Sequence, residues 1–348
     1  MSAVQGVSTA VPEYELTQER VIELGREVLA GKVPFLDQAL DLFRHAGVDR
    51  RYLVREPDVL RAEHGLKWRN DVYIEECQKL GVSLLEDLFE TTSTAPDDID
   101  VLITTSCTGF MIPALDSYLM NRFDMRPDTR RLPFTELGCA AGAMALSRAH
   151  EYLLAFPEHS VAIVAIEIPS MTYLHHDMTV ANLVSVALFG DGGAAALVDG
   201  SPGPLEILQT RSHLFANTPE MMGFDLTDDG FRIVLDKRVP ELLRKELPPL
   251  VDAFLTEAGV ERSDIRNYLF HPGGRKILDT VEELFGLDSE LALSRQTLRE
   301  VGNLSSATIL WVLSKALAGE GEDGYALLSA FGPGFNAELL LARLTVPC

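Results

Sequence analysis

The 348-residue chain has little positive charge and little that would direct it to a membrane. It carries 30 Lys and Arg against 52 Asp and Glu, a formal net charge of −22. A surface this acidic repels nucleic acid and anionic lipid, so we expect neither as a partner. The first 20 residues lack a basic segment followed by an apolar run, and no stretch approaches the roughly 18 apolar residues of a membrane span. We therefore expect a cytoplasmic enzyme that acts on a small molecule.

Sequence motifs for nucleotide cofactors and structural metals are also missing. The glycine-rich segments LFGDGGAAALV and AFGPGFNAELLL match neither GxGxxG after a strand nor GxxxxGK[ST]. The chain has only four cysteines, Cys77, Cys107, Cys139 and Cys348, with no CxxC pair and no zinc-site spacing. The adjacent His175 and His176 point to opposite faces of an extended segment and have no third ligand nearby. We therefore predict no metal site and no nicotinamide or P-loop nucleotide.

Hydrophobic periodicity predicts an α/β protein with two similar halves. The first 95 residues have apolar residues at three- and four-residue spacing, which predicts helices. From there, short apolar runs such as IDVLITTS and VAIVAIEI alternate with amphipathic segments, which indicates parallel strands joined by helical crossovers. The alternation starts again after SPGPLEI. We therefore predict two α/β halves, residues 1–200 and 201–348.

Cys139 lies where a short strand and a glycine turn lead into a helix rich in Ala and Gly, in TELGCAAGAMALSRAHEYLLAF. The positive end of a helix dipole favours a thiolate, and small neighbours let a substrate carbonyl approach. A nucleophile is one interpretation of this cysteine. An ordinary small buried residue is the other, with about equal support from the local sequence.

His271 and Asn303 are candidate partners of such a nucleophile. His271 directly follows the predicted strand IRNYLF, and open α/β sheets bind their ligands at the C-terminal ends of strands. Asn303 precedes the apolar helix in GNLSSATILWVLSKAL, where a helix N-cap alone would explain it. Together the three residue types supply a nucleophile, a charge partner and an oxyanion donor.

Five segments in this order, GCAAGA, LFGDGGAAALV, HPGGRKIL, GNLSSATIL and FGPGFNAE, resemble the type III polyketide synthases, the chalcone-synthase-like branch of the thiolase fold. The resemblance extends over nearly the whole chain from about residue 10. It implies a thiolase-like fold of two pseudo-duplicated αβαβα halves, a homodimer, CoA thioesters as substrates, and no metal or redox cofactor. By this resemblance Cys139 is the acyl-accepting nucleophile, His271 and Asn303 are its catalytic partners, and Phe189 is a gatekeeper aromatic.

The resemblance also implies a mechanism. A Cys139 thiolate, paired with a His271 imidazolium, takes an acyl group from a starter CoA thioester. Malonyl-CoA then loses CO₂, and donors from His271 and Asn303 hold the charge on the enolate oxygen. Four more residues are placed in the substrate cavity by the same resemblance: Cys107, Thr172, Ile233 and Ser305. Cys107 stands where plant enzymes usually carry threonine, and Ile233 replaces a second gatekeeper aromatic.

CoA phosphates require cations that an acidic chain must supply locally. Residues 44–69 contain seven basic and four acidic residues, which makes Arg44 and Arg51 candidates for phosphate binding. Arg275 and Lys276, close to His271, are further candidates. An ordinary solvated loop explains the basic cluster equally well.

The segment SMTYLHHDMTVANLVSVALFGDG resembles bacterial alkylpyrone and alkylresorcinol synthases more than tetrahydroxynaphthalene synthases, and a small Ile233 widens the cavity. We therefore predict a medium- or long-chain acyl-CoA starter, two or three malonyl extensions and closure to a pyrone or resorcinol. Three alternatives stay open. They are a tetrahydroxynaphthalene synthase that uses malonyl-CoA only, a ketoacyl-carrier-protein synthase III that makes one condensation, and a non-catalytic scaffold of thiolase fold that binds acyl-CoA.

Overall fold

A mixed β-sheet of nine strands is the centre of the computed structural model, which describes residues 2–31, 33 and 35–346. Cys348 lies outside these residues. The strands are β1 (Ser2–Ala10), β2 (Tyr14–Thr17), β3 (Arg50–Leu53), β4 (Val101–Thr105), β5 (Arg130–Phe134), β6 (Ser160–Glu167), β7 (Gly192–Asp199), β8 (Leu205–Leu214), β9 (Met222–Thr227), β10 (Gly230–Leu235), β11 (Ile265–Phe270), β12 (Gly324–Gly332) and β13 (Asn336–Leu344). The helices are α1 (Gln18–Leu29), α2 (Leu36–Arg44), α3 (Pro57–Arg61), α4 (Leu66–Thr92), α5 (Leu115–Arg122), α6 (Ala141–Ala155), α7 (Val180–Leu188), α8 (Val239–Glu257), α9 (Arg275–Phe285), α10 (Ala292–Val301) and α11 (Thr308–Lys315).

The sheet order, β11-β12-β13-β8-β1-β7-β6-β4-β5, contains one strand plan twice. In the first half β4 runs parallel to β6, and β6, β7 and β1 follow as antiparallel neighbours. In the second half β11 runs parallel to β12, and β12, β13 and β8 follow in the same way. The first strands of the two halves, β1 and β8, pair with each other and join the halves into one sheet. The predicted duplication is confirmed.

The helices complete the predicted αβαβα layers. α6 and α11 each pack against strands of both halves and so form the middle layer. α4 covers the outer face of the first half, and α8 and α9 pack with the second. Strand β6 is buried on both faces, because Ile163 packs in the cluster with α6 while Ala162 and Val164 pack in the cluster with α4. Since one sheet and one hydrophobic cluster extend across residue 200, a domain boundary there stays a prediction.

The prediction of a helical N-terminal region is only partly right. Helices α1, α2 and α4 match it, but residues 2–10 form β1 in the middle of the sheet. Short strands β2 and β3 pair with each other outside the main sheet, and β8, β9 and β10 were not predicted. The sequence SAVQGVSTA of β1 has small and polar residues rather than an apolar run, so periodicity does not reveal it. Pairing with β7 and β8 on its two sides stabilises it as a strand.

The N-terminal half of helix α6 is almost fully buried, and most of its side chains there are small. Ala143, Ala145, Leu146 and Ala149 have no exposed surface. At its first turn, a Cβ added to Gly142 would lie 2.2 Å from the backbone oxygen of Ser306, in the turn before α11. The missing side chain therefore lets the N-terminal ends of the two central helices come together.

We expect Gly142→Ala to lower the free energy of unfolding by about 2–3 kcal/mol, because the added methyl group meets a backbone atom that cannot rotate away. Gly65→Ala is the control, since a Cβ there meets nothing within 4 Å, and it should change the stability by about 0.5 kcal/mol or less. Denaturation with urea measures both variants. Equal stabilities would contradict the close packing of α6 on residue 306.

Candidate active site

Cys139 lies in a 3₁₀ turn, Gly138–Ala140, that leads directly into α6. Gly138 has a φ of +51° and packs so tightly that a Cβ would lie 2.5 Å from the ring of Pro333. A residue with a side chain is therefore excluded at this position. The turn holds the cysteine at the N-terminal end of the central helix, as the sequence predicts.

His271 follows the last residue of β11. Its backbone N–H donates to the carbonyl of Ser329 at 2.7 Å, which continues the pairing of β11 with β12. The side chain is 2% exposed, and neither ring nitrogen has a hydrogen-bond partner among the described residues. An imidazole with two free nitrogens in a buried site is available to a substrate.

Asn303 is held by its backbone and by its side-chain oxygen. Its N–H donates to the carbonyl of Leu188 at 2.9 Å, and its carbonyl accepts from the N–H of Gly190 at 3.1 Å. Its Oδ1 accepts from the N–H of Ser305 at 2.8 Å, so the amide nitrogen is the end of the side chain that can donate into the cavity. A hydrogen bond from Asn303 lowers the pKa of the Cys139 thiol. Asn303 is not the N-cap of α11, which begins five residues later.

All eight predicted catalytic and substrate residues line one cavity, the catalytic cavity: Cys107, Cys139, Thr172, Phe189, Ile233, His271, Asn303 and Ser305. Its remaining walls are largely apolar. The β9–β10 hairpin supplies two side chains that the sequence did not indicate, Met222 and Phe224, and Phe224 pairs in register with Ile233. The aromatic ring of Phe224 therefore occupies part of the space that the small Ile233 was expected to open.

Ser305 stands between two thiols. Its hydroxyl oxygen lies 3.5 Å from Sγ of Cys139 and 3.6 Å from Sγ of Cys107. Its backbone has a φ of +47°, which is uncommon for a residue with a side chain and is found mainly where surrounding structure enforces it. Thr172 behaves differently, because its hydroxyl donates to the carbonyl of Pro169 within its own turn.

Glu167 is a site residue that was not predicted. Its carboxylate has no exposed surface and accepts hydrogen bonds from the hydroxyls of Ser306 at 2.6 Å and Thr108 at 2.9 Å, and from the N–H of Cys107 at 3.0 Å. Burial raises its pKa, and its charge in turn raises the pKa of Cys139. One signal was available, because Glu167 is the only charged residue in the apolar strand sequence VAIVAIEI.

Burial in the cavity acts against the expected thiolate–imidazolium pair, which stays a prediction. Burial raises the pKa of the Cys139 thiol to about 12 and lowers the pKa of His271 to about 3. Both shifts favour the neutral forms, since a charge loses its hydration in an apolar cavity. Burial in the cavity therefore favours a neutral thiol and a neutral imidazole over the ion pair.

The four candidates for CoA phosphates lie in different surroundings. Arg275 and Lys276 are the first residues of α9 and are exposed, next to Gly273, which lines the catalytic cavity. Arg44 is exposed, pairs with Asp41 at 2.6 Å and faces a separate polar pocket. Arg51 is wrong as a phosphate ligand, because it is 2% exposed and its hydrogen bonds go to the protein itself.

Two family models match consecutive parts of the chain. Residues 56–211 match a model described as FAE1/Type III polyketide synthase-like protein, and residues 206–346 match the C-terminal domain of chalcone and stilbene synthases. Together the two matches extend from residue 56 almost to the C-terminus.

Individual relatives match over nearly their full length. The chain is 36% identical to a 1,3,6,8-tetrahydroxynaphthalene synthase of Streptomyces griseus, over 95% of this chain and 89% of the relative. It is 32% identical to a phloroglucinol synthase of Pseudomonas fluorescens, over 96% and 97%. The crystal structure of the tetrahydroxynaphthalene synthase of Streptomyces coelicolor A3(2), a bacterial type III polyketide synthase, superposes with a TM-score of 0.95 at 35% identity, covering 99% of this chain and all of that one.

We expect alkylation of Cys139 by iodoacetamide to accelerate about tenfold per pH unit from about pH 6 to about pH 10, because only the thiolate reacts and its pKa is raised. Mass spectrometry of the Cys139 peptide gives the rate. Glu167→Gln removes a charge that raises this pKa and should speed alkylation at every pH. Glu338→Gln, at a buried carboxyl that does not shift the pKa of Cys139, should leave the rate unchanged. A rate that is constant through neutral pH would instead indicate an ionised pair.

Proposed function

The chain belongs to the type III polyketide synthase family, and we propose that it extends a medium- or long-chain acyl-CoA starter with two or three malonyl-CoA units. Members of this family are acyltransferases, and so is this protein. In the proposal the extended chain closes to an alkylpyrone or an alkylresorcinol.

The observation that carries the choice of starter is a second, apolar cavity, which we call the side cavity. It lies between α1, α2 and α7 and shares Pro169, Ser185 and Phe189 with the catalytic cavity. Its other walls are mostly aliphatic, with Val21, Leu24, Val28, Leu29, Leu183 and Val186 among them. An alkyl chain buried here gains about 0.8 kcal/mol per methylene group. A chain built from malonyl units alone is polar and would gain little from such walls.

We assign the acyl-transfer step to Cys139 and His271. The Cys139 sulfur attacks the carbonyl of the starter thioester, and its proton passes to the imidazole of His271. The C–S bond to CoA breaks, and CoA leaves as a thiol with that proton. The starter is then bound to Cys139 as a thioester. Both ring nitrogens of His271 are again available for the next step, because neither has a hydrogen-bond partner among the described residues.

We assign the decarboxylation step to His271 and Asn303. Malonyl-CoA loses CO₂, and the electron pair left behind forms an enolate whose oxygen accepts hydrogen bonds from the imidazole and from the amide nitrogen of Asn303. The enolate carbon attacks the Cys139 thioester, which releases the sulfur and yields a β-ketoacyl-CoA. A donor aimed at such an oxygen is typically worth about 3 kcal/mol. Neither step calls for a metal or redox cofactor.

The exposed Arg275 and Lys276 are proposed to bind the CoA phosphates, since they lie beside the cavity wall and at the positive end of α9. Arg44 stays a weaker candidate because it faces a separate polar pocket. A homodimer and a cytoplasmic location are part of the same proposal. Among the described residues, no helix combines the length and the apolar character needed to cross a membrane.

A specific observation favours a second candidate, a tetrahydroxynaphthalene synthase that uses malonyl-CoA only. The relative from Streptomyces griseus and the superposed structure from Streptomyces coelicolor both carry that name. Products formed from malonyl-CoA alone, with no incorporation of longer starters, would favour it. A ketoacyl-carrier-protein synthase III would need a carrier protein as acceptor, so turnover with CoA thioesters alone excludes it.

We expect wild-type protein to incorporate long acyl-CoA starters and Val186→Phe to shift its products to shorter chains. The added ring fills the side cavity, and residue 186 does not line the catalytic cavity. Mass spectrometry of products from a series of acyl-CoA starters measures the shift. Val180→Phe on the same helix is the control, because Val180 is 57% exposed and lines neither cavity. An unchanged chain-length limit in Val186→Phe would contradict the assignment of the side cavity.

The two catalytic steps should fail separately in two variants. Cys139→Ser should abolish acyl loading, which intact-protein mass spectrometry detects. Asn303→Ala should lower CO₂ release from malonyl-CoA about 100- to 1000-fold, the usual effect of removing one oxyanion donor, while Cys139 still accepts the starter. Asn121→Ala, on the distant helix α5, is the control and should change neither step. Equal loss of both steps in each variant would contradict the assigned roles.

A further inference from the structure

Arg51 on β3 is a buried cation that has no acidic partner among the described residues. Its side chain is 2% exposed, and burial lowers the pKa of its guanidinium to about 9 without a carboxylate that opposes the shift. A buried charge is stable only where polar groups replace its hydration. The hydrogen-bond acceptors of the Arg51 guanidinium therefore identify the segments of the chain that this residue holds in place.

Two of the three acceptors of Arg51 are carbonyl oxygens at the end of α7. Nη1 donates to the carbonyl of Val186 at 2.6 Å and, more weakly, to that of Phe189 at 3.5 Å. Nη2 donates to the side-chain oxygen of Gln18, on α1. The last carbonyls of a helix lack partners within the helix and form its negative end. Arg51 therefore binds the segment of residues 186–189 by charge as well as by hydrogen bonds.

The same segment holds Asn303 from the other side. The backbone of Asn303 is bonded to Leu188 at 2.9 Å and to Gly190 at 3.1 Å, and Phe189 and Asn303 form an isolated β-bridge. The backbone at Gly190 is packed tightly between β3 and the end of α10, since a Cβ there would lie 2.5 Å from the carbonyl of Val301 and 3.1 Å from Cβ of Arg51. A shift of residues 186–190 would therefore carry Asn303 and the Phe189 ring with it.

Cys139 and His271 rest on other elements. Cys139 is fixed by the turn before α6, where Gly138 packs on Pro333, and His271 by its bond to Ser329 of β12. Of the three residues assigned to the chemistry, only Asn303 is thus bonded to the segment that Arg51 holds.

We propose that Arg51 is a positioning residue that sets the place of the Asn303 amide and of the Phe189 ring. The inference rests on the proposed function, in which Asn303 stabilises the enolate of malonyl-CoA. Loss of Arg51 then weakens decarboxylation and leaves the transfer of the starter to Cys139 intact. Because Phe189 lies between the two cavities, loss of Arg51 also changes the preferred length of the starter.

Arg51→Met and Arg51→Lys test this with two rates measured on each protein: CO₂ release from malonyl-CoA, and acylation of Cys139 followed by intact mass. In Arg51→Met we expect CO₂ release to fall about a hundredfold, the effect of displacing a catalytic group by about 1 Å, with acylation within about twofold of wild type. Arg51→Lys should restore part of the loss, because an ammonium group can bind the carbonyl of Val186 but not all three acceptors.

Leu88→Ala is the matched control for a general loss of stability. Leu88 has no exposed surface, lies on α4 and packs in a hydrophobic cluster that contains none of residues 186–190, so its loss should not change the ratio of the two rates. If Arg51→Met does not fold, Gln18→Leu replaces it, because this variant removes the third acceptor of the guanidinium. It should lower CO₂ release several-fold and leave acylation unchanged.

Two outcomes would overturn the inference in different ways. If the Arg51 variants lose both rates by the same factor, or lose neither, Arg51 does not position Asn303, and the proposed function stands. If the wild-type protein itself releases no CO₂ from malonyl-CoA, the proposed function fails and this inference fails with it.

Discussion

The close packing of the two central helices determines the rest of the site. α6 and α11 lie between the two halves of the sheet, and the lack of a side chain at Gly142 lets the start of α6 contact the turn at Ser306. Cys139 precedes the first of these helices and Asn303 the turn before the second, so packing the helices also brings the two side chains together. His271 joins them because β11 ends beside the same cavity.

Burial sets the chemistry of this cavity as well as its shape. It moves the pKa of Cys139 and that of His271 in opposite directions, and both shifts remove charge. Glu167 adds a carboxylate that is hydrogen-bonded to Ser306 and Thr108 and further disfavours the thiolate. Burial and this carboxylate therefore both act against the charged form of the thiol.

The motifs located the residues of the site but not their environments. Local sequence left ordinary explanations open for Cys139 and Asn303, and the resemblance of five short segments to a known family assigned these two residues and His271 to the site. Arg51 was placed among surface cations because it lies in a run of basic residues, and the sequence does not show that its side chain points into the protein. Strand β1 could not be predicted from its own sequence either, because its pairing partners β7 and β8 lie about 190 residues away.

The amino-acid sequence by itself determined the α/β plan through its hydrophobic periodicity, and the resemblance of its motifs to a known family indicated the family and the three residues proposed for the chemistry, because both depend on short segments of the chain. Only the tertiary structure decided that all three line one cavity, that a second apolar cavity adjoins it, and that Arg51 and Glu167 are buried. These features arise from contacts between segments far apart in the chain. Burial, and with it charge state and free volume, is a property of those contacts and not of any single segment.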